Sequence, residues 1–345
     1  MKILMHAING VGLGHVTRTR RMADALREKC RDIEIAFVTN SKFSEVLQKK
    51  YKTYALKQDT RDVLEKKYSY ETYLKYNAET IAKIILKESP DAVLFDSELN
   101  KKLLSFCQEK GIKTVYVLRR VSPKLFSMLK DSLAQCDKII VPHDEEEFLG
   151  EQVQFLKEQG ALFVGPIVED MHGDEVYERK NVLVTFGAGA NIPCNQPLFA
   201  AVDSFLSQTR SNAEARQFNV KIVTGPFYEK GCDFEGFDVI RTIPHLTREM
   251  LQAKVVICAA GYNTINEIVY TKTPAVVFPV LTQGEDQLVR AERLEKMGCV
   301  KCVREDIFSA VRDVLENWEQ YHKRFPDIEP GNGKAADVLI NLLKG

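Results

Sequence analysis

His15 follows three alternating glycines in "NGVGLGH", where an apolar run gives way to an amphipathic basic stretch. A histidine at the mouth of a helix either caps it or points outward from a rigid support as a base. Histidine is a weak capping choice. A neutral imidazole, with an ordinary pKa near ~6.5, is a competent base at physiological pH. The field at a helix start also opposes its protonation. Gly10, Gly12 and Gly14 are spaced G-x-G-x-G, which is not the dinucleotide-binding G-x-G-x-x-G. The following strand ends "FVTNS", so Asn40 and Ser41 stand where a nicotinamide site wants a ribose-binding carboxylate. Asp96, ending "VLFDS", offers a carboxylate that either orients His15 or caps the next helix.

A second constellation lies in "ICAAGYNTINEIVYTKTPAVVFPVLTQGEDQ". Gly261 makes a turn between a strand and a helix. The helix-start amides, with Asn263 and Thr264, suit a diphosphate. Glu267, one turn further on, can accept both hydroxyls of a ribose. "TQGEDQ" then supplies Gln283, Glu285, Asp286 and Gln287 at another helix start, where amides and carboxylates suit sugar hydroxyls. No Asp-x-Asp motif accompanies them, and "CVKC" has no second pair of ligands. Its Cys299 and Cys302 would face opposite sides of a strand. Neither a metal nor a cofactor is expected.

These groups need rigid elements to aim them, and the rest of the chain supplies the pattern. Short apolar runs ("KILMHAI", "EIAFVTN", "DAVLFDS", "KTVYVLR", "KIIVP", "ALFVGPI") alternate with helical stretches in the first half. Runs that are apolar on both faces read as buried parallel strands. "GPIVEDMHGDEVYERKN" breaks the pattern. It then restarts with "NVLVTFGAGA", "VKIVTG", "FDVIRTI", "KVVICAAG", "PAVVFPV" and "GCVKCV". The reading is two doubly wound α/β domains, 1–165 and 181–345, joined by a linker at 166–180, with a ligand cleft between them. The last helix is free to pack back on the first domain.

With 345 residues, 45% hydrophobic and 28% charged, the chain is an ordinary globular composition with zero formal net charge. No global field recruits nucleic acid. Eight scattered cysteines suit a reducing compartment, and neither a signal peptide nor a membrane span is visible, so a cytoplasmic location is expected. Residues 41–90 hold eleven Lys or Arg and six tyrosines, which reads as a solvated helical excursion or as an acceptor-side lid leaning on lipid headgroups. Arg119 and Arg120 read as a solvated pair or as a contact for an anionic acceptor. His143 and His245 carry no assigned chemistry.

The glycine–histidine loop, "FVGPI", "VTFGAGA" and the long C-terminal motif together resemble the GT-B glycosyltransferases. They are most similar to the family that adds N-acetylglucosamine to the lipid-linked peptidoglycan precursor (glycosyltransferase family 28-like). The resemblance covers nearly the whole chain and implies an inverting, metal-independent transfer from a UDP-sugar to an acceptor hydroxyl. The acceptor is a small molecule or lipid-linked, at the inner face of the membrane. It implies that Gly12 and Gly14 shape the acceptor loop and that His15 deprotonates the acceptor. Gly261, Asn263 and Thr264 would hold the phosphates and Glu267 the ribose. Ile243 would lie against the uracil, Gly187 and Gly189 beside the diphosphate, and Gln283, Asp286 and Gln287 near the donor sugar. "GLGHVTR" also resembles the loop of UDP-sugar hydrolases, in which the histidine activates water; that is the alternative function.

Overall fold

The computed structural model describes residues 1–8, 12–41, 44–56, 69–96, 99–171, 177–190, 193–212, 218–229, 232–243, 245–280 and 287–345. They form two compact units, Met1–Ile167 with Pro330–Gly345, and Val168–Glu329.

The first unit is built on strands β1 (Lys2–Ala7), β2 (Glu34–Thr39), β3 (Lys52–Ala55), β4 (Ala92–Asp96), β5 (Lys113–Val117), β6 (Lys138–Val141) and β7 (Leu162–Phe163). The order is β3-β2-β1-β4-β5-β6-β7, and every neighbouring pair is parallel. The connecting helices are α1 (Gly14–Lys29), α2 (Glu45–Gln48), α3 (Tyr70–Glu88), α4 (Lys101–Glu109), α5 (Pro123–Leu133) and α6 (Gly150–Glu158). Side chains alternate across a strand, so β1 sends Ile3, Met5 and Ala7 into one core and Leu4 into the other. The strand order reverses between β1 and β4. A doubly wound sheet opens a crevice at the carboxyl ends of its strands at such a point. Ala7 pairs with Asp96 there.

The second unit repeats the plan with β8 (Asn181–Thr185), β9 (Asn219–Val223), β10 (Asp238–Ile240), β11 (Ala253–Ala259), β12 (Ala275–Phe278) and β13 (Val300–Cys302). Its order is β10-β9-β8-β11-β12-β13, again parallel throughout. The helices are α7 (Gln196–Ser211), α8 (Leu246–Gln252), α9 (Tyr262–Thr271), α10 (Gln287–Lys296), α11 (Ile307–Glu316) and α12 (Trp318–Lys323). Here the reversal falls between β8 and β11, where Thr185 pairs with Cys258.

The last helix packs back on the first unit, and two further features depart from the sequence reading. The C-terminal helix, Asn332–Lys344, belongs to the first unit, because Ala335, Ala336 and Leu339 are buried in one core with Met22, Ala23 and Leu26 of α1. Burying one such leucine is worth roughly 1.5–3 kcal/mol. The described ends of the 166–180 segment are also tied down. Arg179 donates to the carbonyls of Met250, Ala253 and Thr271, and Tyr270 donates to Asp170. Finally, part of the lysine- and tyrosine-rich excursion is sheet. Edge strand β3 is fastened by Lys52 and Tyr54 to the buried Glu88 at the end of α3. Tyr51 and Tyr73 likewise meet Asp24 and Asn40, so these tyrosines serve packing. Residues 57–68 lie outside the described residues.

Candidate active site

In the first unit His15 stands at the switch point, on the helix that follows β1. The N-cap of α1 is Leu13, so His15 sits inside the first turn rather than capping it. Its side chain is 17% exposed, and Nδ1 lies 3.0 Å from Oδ1 of the fully buried Asp96. Asp96 is not the cap of the next helix either, since Asn100 takes that place by accepting from the Lys102 amide at 3.0 Å. The parallel register of β1 and β4 brings together two residues 81 positions apart.

Arg18, one turn along α1, completes the cluster. Its Nε donates to Asp96 Oδ2 at 3.0 Å. Burial pushes the Asp96 carboxyl up, but the adjacent Arg18 and His15 overcome it and hold the group well below the usual carboxylate range. His15 is lowered as well, which for an imidazole disfavours the charged form. Burial first, then the charge of Arg119, lowers it to about 4 despite the attraction of Asp96. The ring is therefore neutral over the physiological range. His6, on β1, is completely buried beside Phe95 and is lowered to about 4 by burial.

Arg119 and Arg120 are half-buried at the end of β5. His143 supports them: its Nε2 accepts the Arg120 amide at 3.1 Å, and its Nδ1 lies 3.0 Å from Glu147 Oε2. Gly14 is the first residue of α1. Among the described residues a Cβ at Gly12 would come within 4 Å of the Gly14 amide nitrogen alone, at 3.9 Å.

In the second unit the switch point gathers most of the other candidates. Gly261 is the N-cap of α9 and no side chain caps it. Thr264 lies in the first turn, and Glu267 follows on the same face, 3% exposed. The neighbouring β8 ends in the loop that carries Gly187 (φ +62°) and Gly189 (φ +72°). A Cβ at Gly189 would stand 2.1 Å from the Thr224 carbonyl oxygen. A Cβ at Gly225, where φ is +87°, would stand 2.4 Å from the Gly187 carbonyl oxygen. The Phe227 amide donates to the Ala188 carbonyl at 2.9 Å, so the loops after β8 and β9 interlock backbone to backbone. Gly189→Ala is expected to lower the stability of this unit by about 3 kcal/mol, because it adds backbone strain to overpacking. A urea midpoint unchanged from the parent would contradict this.

Ile243 follows β10 and packs partly buried against the core of α8, α9 and β11. Gln287 opens α10 and accepts the Val280 amide at 3.1 Å, which fixes the end of the β12 loop. Gln283, Glu285 and Asp286 lie outside the described residues. Arg290, from α10, donates to the Ala260 carbonyl beside the α9 start. The sequence reading passed over Arg18, Gly225 and Arg290. The charge of Arg290 in "QLVRAER" and the glycine ending "VKIVTG" were the available signals. Among the described residues no cluster of His, Cys, Asp and Glu could hold a metal ion.

Residues 191–324 match the glycosyltransferase family 28 C-terminal domain. Over 90% of its length the chain is 24% identical to a UDP-N-acetylglucosamine–N-acetylmuramyl-(pentapeptide) pyrophosphoryl-undecaprenol N-acetylglucosamine transferase of Alkaliphilus metalliredigens (strain QYMF), and it covers 88% of that protein. The calicheamicin glycosyltransferase CalG4 superposes with a TM-score of 0.65 at 16% identity, over 99% of this chain and 98% of that one. The UDP-GlcNAc 2-epimerase of Neisseria meningitidis, bound to UDP-GlcNAc, gives a TM-score of 0.64 at 14% identity over 100% of both chains. Fold alone therefore does not select the reaction. The matched domain spans α9, whose first turn carries Asn263 and Thr264. Its two sheets give the chain the GT-B fold, and its residues 191–324 match the C-terminal domain of family 28 glycosyltransferases.

Proposed function

We propose that this chain transfers a sugar from a UDP-sugar to an acceptor hydroxyl, with inversion and without a metal ion, and that His15 is the base. The observation that carries the reading is the His15–Asp96 contact at the first unit's switch point. With Nδ1–H directed at Asp96, Nε2 holds the lone pair that takes the acceptor proton. The acceptor oxygen bonds to the anomeric carbon as the bond from that carbon to the diphosphate oxygen breaks, and the electron pair leaves with UDP. The amides at the α9 start, with Asn263 and Thr264, stabilise the departing charge without a cation. Glu267 holds the ribose, Ile243 lies against the uracil, and Gly187 and Gly189 bring backbone beside the diphosphate. The donor sugar is assigned to Gln283, Asp286 and Gln287. Gly12 and Gly14 leave room for the acceptor.

The Alkaliphilus relative makes UDP-N-acetylglucosamine the first donor to try and a lipid-linked hydroxyl the first acceptor. Such an acceptor would bring the chain to the inner face of the cytoplasmic membrane. Among the described residues no helix is long and apolar enough to cross a membrane.

The test is incubation with a panel of UDP-sugars, with and without a membrane lipid extract and with or without a chelator, and mass spectrometry of all products. Sugar on an extract component, unaffected by the chelator, is the expected result. Free sugar formed equally fast without extract would make water the acceptor and overturn the reading. An epimerised donor would overturn it as well.

The acid limb of kcat/KM follows from the electrostatics. Only the neutral imidazole is active, and burial and Arg119 hold its pKa at about 4. Activity at about pH 5.5 should then lie within about twofold of that at neutral pH, with the limb falling below pH 5. A limb at ~6.5 would mean a solvated histidine.

A further inference from the structure

Arg18 has no part in a two-residue base, yet it occupies the centre of the cluster. Its side chain is 1% exposed. Besides the Nε bond, its Nη2 donates to Asp96 Oδ1 at 2.5 Å and lies 2.9 Å from His15 Nδ1. Burying this charge costs several kcal/mol, and a cation beside a base weakens the base. The arrangement must do something that His15 and Asp96 alone do not.

Two constraints show what. A carboxylate with no exposed surface ionises reluctantly unless a cation compensates it. The guanidinium engages both oxygens, which keeps the group an anion and fixes its plane. Guanidinium nitrogens only donate. An Nδ1 bearing a proton is therefore satisfied by Asp96, and an Nδ1 bearing a lone pair is satisfied by Arg18. The ring is offered two tautomers, and only the first leaves a lone pair on Nε2. The outcome depends on Asp96 remaining a charged, oriented acceptor.

We propose that Arg18 is a positioning residue for the proton transfer, its fork on Asp96 selecting the His15 tautomer with the lone pair on Nε2 and its charge driving the collected proton off again. This rests on His15 being the base. Among the described residues, Arg18 from its own helix, Asp96 from β4 and Arg119 after β5 act on the charge of His15. His6 on β1 is electrostatically coupled to it. Glu98 lies outside the described residues.

The test combines pH profiles with nitrogen NMR of the His15 ring in the parent, Arg18→Gln and Arg18→Lys. The parent ring should carry its proton on Nδ1. Arg18→Gln removes the charge, so the acid limb should rise by about one pH unit or more and kcat should fall about tenfold to a hundredfold, with donor KM unchanged. Arg18→Lys keeps the charge but cannot fork. Its limb should stay near the parent's while kcat still falls and the tautomers mix. Millimolar guanidinium should partly restore kcat to Arg18→Ala. Parent-like kcat in Arg18→Lys, or a folded Arg18→Gln with parent-like kcat and acid limb, would overturn the proposal. If Arg18→Gln does not fold, Arg18→Lys alone decides. His15→Ala separates the two claims: its retention of activity would remove the base itself. An inactive His15→Ala beside parent-like Arg18 variants would refute only the role of Arg18.

Discussion

His15→Ala is expected to lower kcat by about 10²–10⁴ and to leave the affinity for UDP unchanged. The size follows from what is lost. The imidazole is neutral, its Nδ1 is held 3.0 Å from Asp96 Oδ1, and it stands on the first turn of α1. A general base placed on so rigid an element cannot be replaced by a passing water without losing most of its orientation. Folding should survive, because the Asp96–Arg18 pair remains intact and the ring is already partly exposed. Calorimetry with UDP separates this from a general collapse. Retention of more than about a tenth of parental turnover would remove His15 from the proton path.

The second large effect belongs to the other unit. Glu267→Ala should raise KM for the UDP-sugar about tenfold to a hundredfold with little change in kcat, since a hydrogen bond to a charged group is worth about 1.5–3 kcal/mol. The carboxylate is buried on α9, one turn beyond Thr264, on the face shared with Asn263 and Thr264. It cannot favour phosphate, so it is suited to hydroxyls. The discriminating ligand is 2′-deoxy-UDP. The parent should bind it more weakly than UDP, and the variant should bind both alike. An unchanged KM would place the ribose elsewhere.

Much of this was readable in the chain, for definite reasons. Runs such as "KILMHA" and "VVICA" are apolar on both faces because parallel strands are covered on both faces. The glycines at the ends of β8 and β11 mark turns whether or not the strand order is known. Strand β3 was not readable. Its side chains are half exposed, and contacts with Glu88, distant in sequence, hold it in place.

The cluster around His15 was half readable. A histidine after a glycine turn and an aspartate ending a strand are both visible, but their meeting depends on β1 and β4 being neighbours, and no periodicity reports that. The basic run of α1 was misleading. Arg18, Arg20 and Arg21 look like a solvent-facing stretch, yet all three are buried. They are buried because Asp96, Asp24 and the Ile167 carbonyl receive them. The same holds for His143, whose partner Glu147 lies in sight four residues on, while the amide it supports belongs to Arg120.

The central claim is a single displacement in which a hydroxyl deprotonated by His15 attacks the anomeric carbon as UDP leaves. The most direct measurement is the anomeric configuration of the first product, by proton NMR, from an α-linked UDP-sugar. A single displacement gives a β-glycoside. An α-glycoside would require two displacements or front-face attack, and would contradict His15 as the base of a single-step transfer.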